Sequence, residues 1–171
     1  MKKIALFVMA LMMSVAANAQ FEQGKFYAGA SLSGLDLNYS GLTKGHISIQ
    51  GKVGYMLMDN LMATAQASYD KAKDQPTLAS FGLGARYYII QNGIYLGASA
   101  IYKHGPGEEK AYNDVLPSVQ VGYTFFLSRT VTVEPELYYE QSFKNHKDYS
   151  TVGLRIGIGI YLFKDTYKNI R

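Results

Sequence analysis

The stretch Thr151 to Leu162, TVGLRIGIGIYL, carries two different surfaces on one backbone. Its even positions are all apolar: Val152, Leu154, Ile156, Ile158, Ile160 and Leu162. Its odd positions are small, polar or charged: Thr151, Gly153, Arg155, Gly157, Gly159 and Tyr161. Side chains of a β-strand point alternately to opposite faces, so strict period-2 segregation predicts a strand held between two unlike environments.

Working outward, the same alternation recurs in seven further segments, which predicts strands over about 25–33, 45–58, 61–70, 78–89, 94–103, 115–127 and 130–142, with the quoted stretch in 150–163. In the first, Phe26, Ala28, Ala30 and Leu32 oppose Tyr27, Gly29, Ser31 and Ser33. The phase then flips to Leu35 and Leu37, so a bulge is expected at Gly34. Asp59-Asn60, Gln91-Asn92-Gly93 and Ser128-Arg129 supply tight turns, Asn-Gly being a strong hairpin signal. Pro117 and Pro135 fall inside strands, where a missing N–H predicts bulges or weakened pairing.

Residues 1–19 read as a cleaved export signal: Lys2 and Lys3, an apolar run from Ile4 to Met13, then small residues ending in Ala17-Asn18-Ala19. That run is shorter than the roughly 18 to 20 residues a spanning helix needs. Residues 20–171 then form one domain whose formal charge falls from +4 to +2, because Lys2 and Lys3 leave with the signal. So small a surplus argues against a nucleic-acid partner. The chain has no cysteine, hence no lipid-attachment thiol, disulfide or thiolate metal site.

Eight long alternating strands behind an export signal predict an all-β fold: an antiparallel, up-and-down transmembrane β-barrel with a filled polar interior. A soluble barrel would alternate too, with its apolar register inside. Volume decides between them. The bore of an eight-stranded barrel is only just wide enough for side chains, and here the polar register is the small one, rich in Gly, Ser and Thr. Aromatics of the apolar register also fall near the strand ends, as lipid-facing girdles do: Tyr69, Phe81, Tyr102 and Phe143 toward one end, Phe26, Tyr55, Tyr87 and Phe125 toward the other. Links after alternate strands are long and charged, notably 71–77, 105–114 and 144–147. Long loops face outward and short turns inward in such barrels, so both termini and the tail 164–171 are expected in the periplasm.

The inward register holds Lys52, Arg86, Lys103 and Arg155 as cations and Asp70, Glu134, Glu136 and Glu140 as anions. A dry interior demands that balance, because an isolated buried ion is costly. Arg155 should meet Glu134 or Glu136 on the neighbouring strand. The network can plug the bore, or it can form a gate to a narrow conductance.

At this point the chain resembles the small outer-membrane barrels of the OmpA and OmpX type, porin-like outer membrane protein β-barrel domains. The resemblance is carried by the whole pattern and by the glycine- and aromatic-rich closing strand Gly153 to Phe163. It implies the outer membrane of a Gram-negative bacterium, contact with outer-membrane lipids including lipopolysaccharide, and reading of the closing strand by the outer-membrane assembly machinery. The chain departs from the family in one respect, since Lys164 to Arg171 follow the terminal aromatic. That tail is too short for a wall-binding domain.

Catalytic chemistry has one candidate. His46 and Ser48 share a face of the second strand, a pairing similar to that in outer-membrane lipid A deacylases, and Asp70 could complete the set. The pair points inward by register, where lipid A cannot reach. His104 and His146, beside Glu108, Glu109 and Asp148, lack metal-site spacing. No catalytic, metal or cofactor site is assigned. The reading is a structural or surface-interaction protein acting through its outer loops, where Tyr112, Tyr149 and lysines could take a ligand. A gated narrow channel and an outer-membrane lipid hydrolase are the alternatives.

Overall fold

The computed structural model describes residues 21–38, 41–42, 47–71, 78–89, 93–106, 112–144 and 150–162. Residues 1–19, read above as an export signal, lie outside these residues, as do His46, His146, Glu108, Glu109, Asp148, Tyr149, Phe163 and the tail 164–171. Eight strands form the wall: β1 (Phe26–Asn38), β2 (Ile47–Met58), β3 (Leu61–Lys71), β4 (Leu78–Tyr88), β5 (Ile94–Gly105), β6 (Tyr112–Tyr123), β7 (Val131–Glu140) and β8 (Thr151–Leu162). Each runs antiparallel to the next, and β8 returns to pair with β1 from Phe26↔Leu162 to Asn38↔Thr151. That last ladder closes the barrel and leaves no edge. Two dipeptides extend the wall, Gly41–Leu42 on β1 and Phe125–Phe126 on β7.

The phase flip in β1 is a register slip between Ser33 and Leu35. The strand therefore continues to Asn38, beyond the 33 at which the sequence reading ended it. A second slip lies between Met56 and Met58, next to a turn in which Asn60 adopts φ 66°. Asn tolerates that left-handed conformation because its short side chain bonds locally. β5 runs to Gly105 and β6 starts at Tyr112, so the link expected over 105–114 is shorter and Asp114 belongs to the wall.

The two prolines act together. The β6–β7 ladder is the shortest seam, Ser118↔Glu140 to Gly122↔Glu136, and it resumes in unchanged register at Phe125↔Val133. Gln141 N–H donates to Pro117 O at 2.9 Å, so odd positions of β6 turn their backbone groups toward β7. By that parity Pro117 faces Gln141 and Pro135 faces Tyr123 at hydrogen-bonding positions, and each lacks the N–H its partner carbonyl would accept. The result is weakened pairing without a bulge.

The two faces of the wall differ as the alternation requires. Phe26, Leu32, Leu83, Val119, Leu154 and Ile156 are among many large apolar side chains left exposed outside. The inward residues of β7 and β8 are buried, apart from half-buried Thr151 at the loop end. A continuous exposed apolar surface around a closed sheet is the surface a membrane requires. No helix among the described residues is long and apolar enough to cross a membrane.

Candidate functional site

Inward-facing glycines let a barrel this narrow hold large side chains. A Cβ at Gly29 or Gly159 would overlap the Tyr27 ring, and one at Gly122 would overlap Tyr95. Small residues of the polar register thus form recesses in which larger inward side chains, Tyr27 and Tyr95 among them, lie.

An ionic layer spans the middle of the bore. Glu136 on β7 takes Arg155 Nη1 on Oε1 at 2.8 Å, and Lys52 Nζ, Arg86 Nη2 and the Tyr95 hydroxyl on Oε2 at 3.2, 3.1 and 2.9 Å. Glu134 takes Arg86 Nη1 at 2.7 Å, the Tyr27 hydroxyl at 3.0 Å and Thr132 Oγ1 at 3.0 Å. Arg86 bridges the two carboxylates and lies over Tyr95, 3.9 Å from the ring centroid, while Arg155 lies 4.0 Å over Tyr138. Charge, direction and flat stacking all favour arginine at both places. Five ionic groups from β2, β4, β7 and β8 meet here, three cationic and two anionic. The space left among Tyr27, Lys52, Arg86, Tyr95, Glu134 and Glu136 is about 10 Å³, room for a single water.

The remaining charged candidates lie toward the loop end. Lys103 Nζ pairs with Glu140 Oε2 at 2.6 Å, and Arg155 Nη2 lies 3.9 Å from Glu140 Oε1. Asp70 accepts from Ser68 Oγ at 3.2 Å. Ile101 and Leu116 are buried in the same inward register, and Asp114 accepts from Ser142 Oγ at 2.6 Å. Sequence reasoning missed all three. Parity could have found all three, since Leu116 and Asp114 share the even register of Ser118 and Gln120, and Ile101 the odd register of Ser99 and Lys103.

Toward the tight turns an aromatic layer takes over. Tyr88 and Tyr161 join hydroxyls at 2.5 Å, and Phe21, Met56, Met62, Tyr27 and Tyr95 complete a buried cluster. Met56 and Met62 fit the inward parity of their strands. Phe21 precedes every strand, and alternation gave no signal for it.

Of the hydrolase candidates, Ser48 is buried and sits directly across from Asp70. Both face the bore, behind the wall from any lipid ester. His104 Nδ1 lies 2.7 Å from Asn113 Oδ1 at the exposed rim. Among the described residues no three His, Cys, Asp or Glu side chains gather as a metal site. Outside the wall, Phe26 and Tyr55 pack with ring centroids 4.8 Å apart, and Tyr69, Phe81, Tyr87, Tyr102 and Phe143 are exposed. Phe125 is half-buried against Tyr123.

Comparison with known proteins matches residues 4–166 to the family described as outer membrane protein beta-barrel domain. Among solved structures, the N-terminal β-barrel domain of Pseudomonas aeruginosa OprF aligns with a TM-score of 0.62 at 14% identity, covering 82% of this chain and 98% of that one. Neisserial surface protein A aligns with 0.59 at 19% identity, covering 80% and 95%. Ail of Yersinia pestis, in complex with the heparin analogue sucrose octasulfate, aligns with 0.52 at 11% identity, covering 82% and 99%. No curated protein sequence matches.

Proposed function

The chain belongs to the outer membrane protein β-barrel domain family, and from that premise we propose a sealed membrane scaffold that presents its loop end as an interaction surface. One observation carries the reading: the space lined by Lys52, Arg86, Glu134, Glu136 and Arg155 in the ionic layer is only about 10 Å³. A diffusion pore needs a wide aqueous lumen, which barrels reach at roughly 16 strands. Here an interior crowded with paired ions and tyrosines stiffens the wall.

The loop-end rim supports the second half of the proposal. Lys71, His104 and Lys144 are exposed there, whereas Asp70, Asp114 and Glu140 face the bore. Cations on the exposed rim, with Glu140 turned inward and held by Lys103, suit a partner bearing phosphate or sulfate, such as the lipopolysaccharide headgroup. In keeping with this, the similar barrel of Ail is described with a sulfated sugar. With short turns in the periplasm, this rim meets the outer leaflet, and residues 1–19 are the export signal that delivers the chain there.

Two measurements test the proposal. The purified chain in a planar bilayer should give no steady conductance steps, and regular openings that vanish in Glu136→Gln would replace the scaffold with a gated channel. Vesicles containing lipopolysaccharide should retain the loop-end interaction through Lys71 and Lys144. Equal retention of Lys71→Ser/Lys144→Ser and wild type at raised salt would remove the rim from the proposal.

A further inference from the structure

Phe21 lies outside every ladder of the wall and is nonetheless fully buried, while its neighbours Glu22 and Gln23 are exposed. Its ring stacks on Tyr88 with centroids 3.8 Å apart and 13° between planes. It meets Tyr161 edge-on at 5.8 Å and Phe126 at 5.8 Å. These partners come from β4, β8 and the end of the β6 segment, so the ring reaches across the mouth of the bore.

The strap that carries it is held from one side. Gly24 N–H donates to Met56 O, Met56 N–H to Lys25 O, Asn60 N–H to Phe21 O, Gln23 N–H to Asp59 Oδ1 and Gln23 Nε2 to Leu57 O, at 2.8 to 2.9 Å. Every one of these bonds goes to the end of β2 or to the β2–β3 turn. The strap bends at Gly24, whose φ of +88° is left-handed and open to glycine without strain. The ladders of β1 begin at Phe26. Moving residues 21–24 therefore breaks no strand pair.

We propose that Tyr88, Tyr161 and Phe126 form a binding site for one aromatic side chain, filled in cis by Phe21 as a detachable stopper. A stacked, an edge-on and a tilted ring around one void is the arrangement in which aromatic quadrupoles attract. Small planar aromatic solutes are the chemical class that competes for it. The bore then carries two seals in series, the stopper at the tight-turn mouth and the ionic layer behind it. The inference rests on the proposed export reading in one respect: removal of residues 1–19 makes Phe21 the second residue and leaves its strap tethered at one end.

The absence of cysteine from the chain allows a direct test. Met62→Cys places a single thiol in the buried cluster beside the stopper, and Leu116→Cys places one deep in the loop-end half as a control. Each is made in the full mature protein, reconstituted in phosphatidylcholine vesicles and exposed to a water-soluble methanethiosulfonate. Labelling of Met62→Cys should be slow with Phe21 present and at least about tenfold faster with Phe21→Ala, as access passes from rare local opening to a standing path. Phe21→Trp should restore slow labelling, and the Leu116→Cys thiol should stay protected in every background. Equal rates at Met62→Cys with and without Phe21, or exposure of the control thiol together with it, overturns the stopper. The mass of the purified protein reports separately whether the chain starts at Gln20, so failure of the export reading is distinguishable.

Discussion

The two faces of β8 obey different rules. Outside, Leu154, Ile156 and Ile158 are 53%, 62% and 59% exposed and differ little in kind. Inside, Arg155 is buried between Glu136 and the Tyr138 ring, and Gly157 and Gly159 leave room for neighbouring side chains. The outer face needs a property, hydrophobicity, that many residues supply. The inner face needs particular partners at particular distances. Substitutions within the apolar class should therefore be mild outside, while charge changes on either face should be severe for opposite reasons.

The largest effect is expected inside. Glu136→Ala takes from Lys52, Arg86 and Arg155 the carboxylate they share, leaving Glu134 on Arg86 and the more distant Glu140 on Arg155, and removing one partner of a buried ionic set costs about 3–5 kcal/mol. Urea unfolding of the barrel in lipid vesicles measures it. Lys52→Met, which brings the layer to formal neutrality, should cost far less. Comparable losses for the two would break the charge-balance argument. Next comes the outer face, where Ile156→Arg should cost about 2–4 kcal/mol near the bilayer midplane by the same assay. A neutral result would place Ile156 in water.

Phe21→Ala comes third, at about 2 kcal/mol, below the usual loss for a buried phenylalanine because a chain-end strap can relax into the void. The smallest effect has the opposite sign. Pro135→Val restores an N–H opposite Tyr123 and should add about 1 kcal/mol of stability, with slower amide exchange along the β6–β7 seam. No change in exchange there would mean that the proline does not limit that ladder.

The outer face was legible in the sequence because period-2 alternation survives without knowledge of neighbours. It also located the bulge at Gly34 and the seam weakened by Pro117 and Pro135. The closed barrel then followed from the even number of long strands. The interior was legible only in part. Parity put Lys52, Arg86, Glu134, Glu136 and Arg155 on one face, but which carboxylate takes which cation depends on shear between strands, and no local pattern encodes it. Arg155 had two eligible partners by adjacency, and the geometry selects Glu136. Met56, Met62 and Leu116 escaped notice because apolar residues in a polar register look like noise until the bore has a cross-section to fill. Phe21 lies outside any alternation, and its burial is a tertiary fact.

The central claim is that hydrocarbon bathes the apolar register while the polar register packs against itself. The chain contains no tryptophan, so a single introduced indole reports its own surroundings. In vesicles of lipids brominated along the acyl chain, Ile158→Trp should fluoresce in the blue and be strongly quenched by bromine, with no response to aqueous iodide. Quenching by iodide with indifference to bromine would put that register in water and contradict the account.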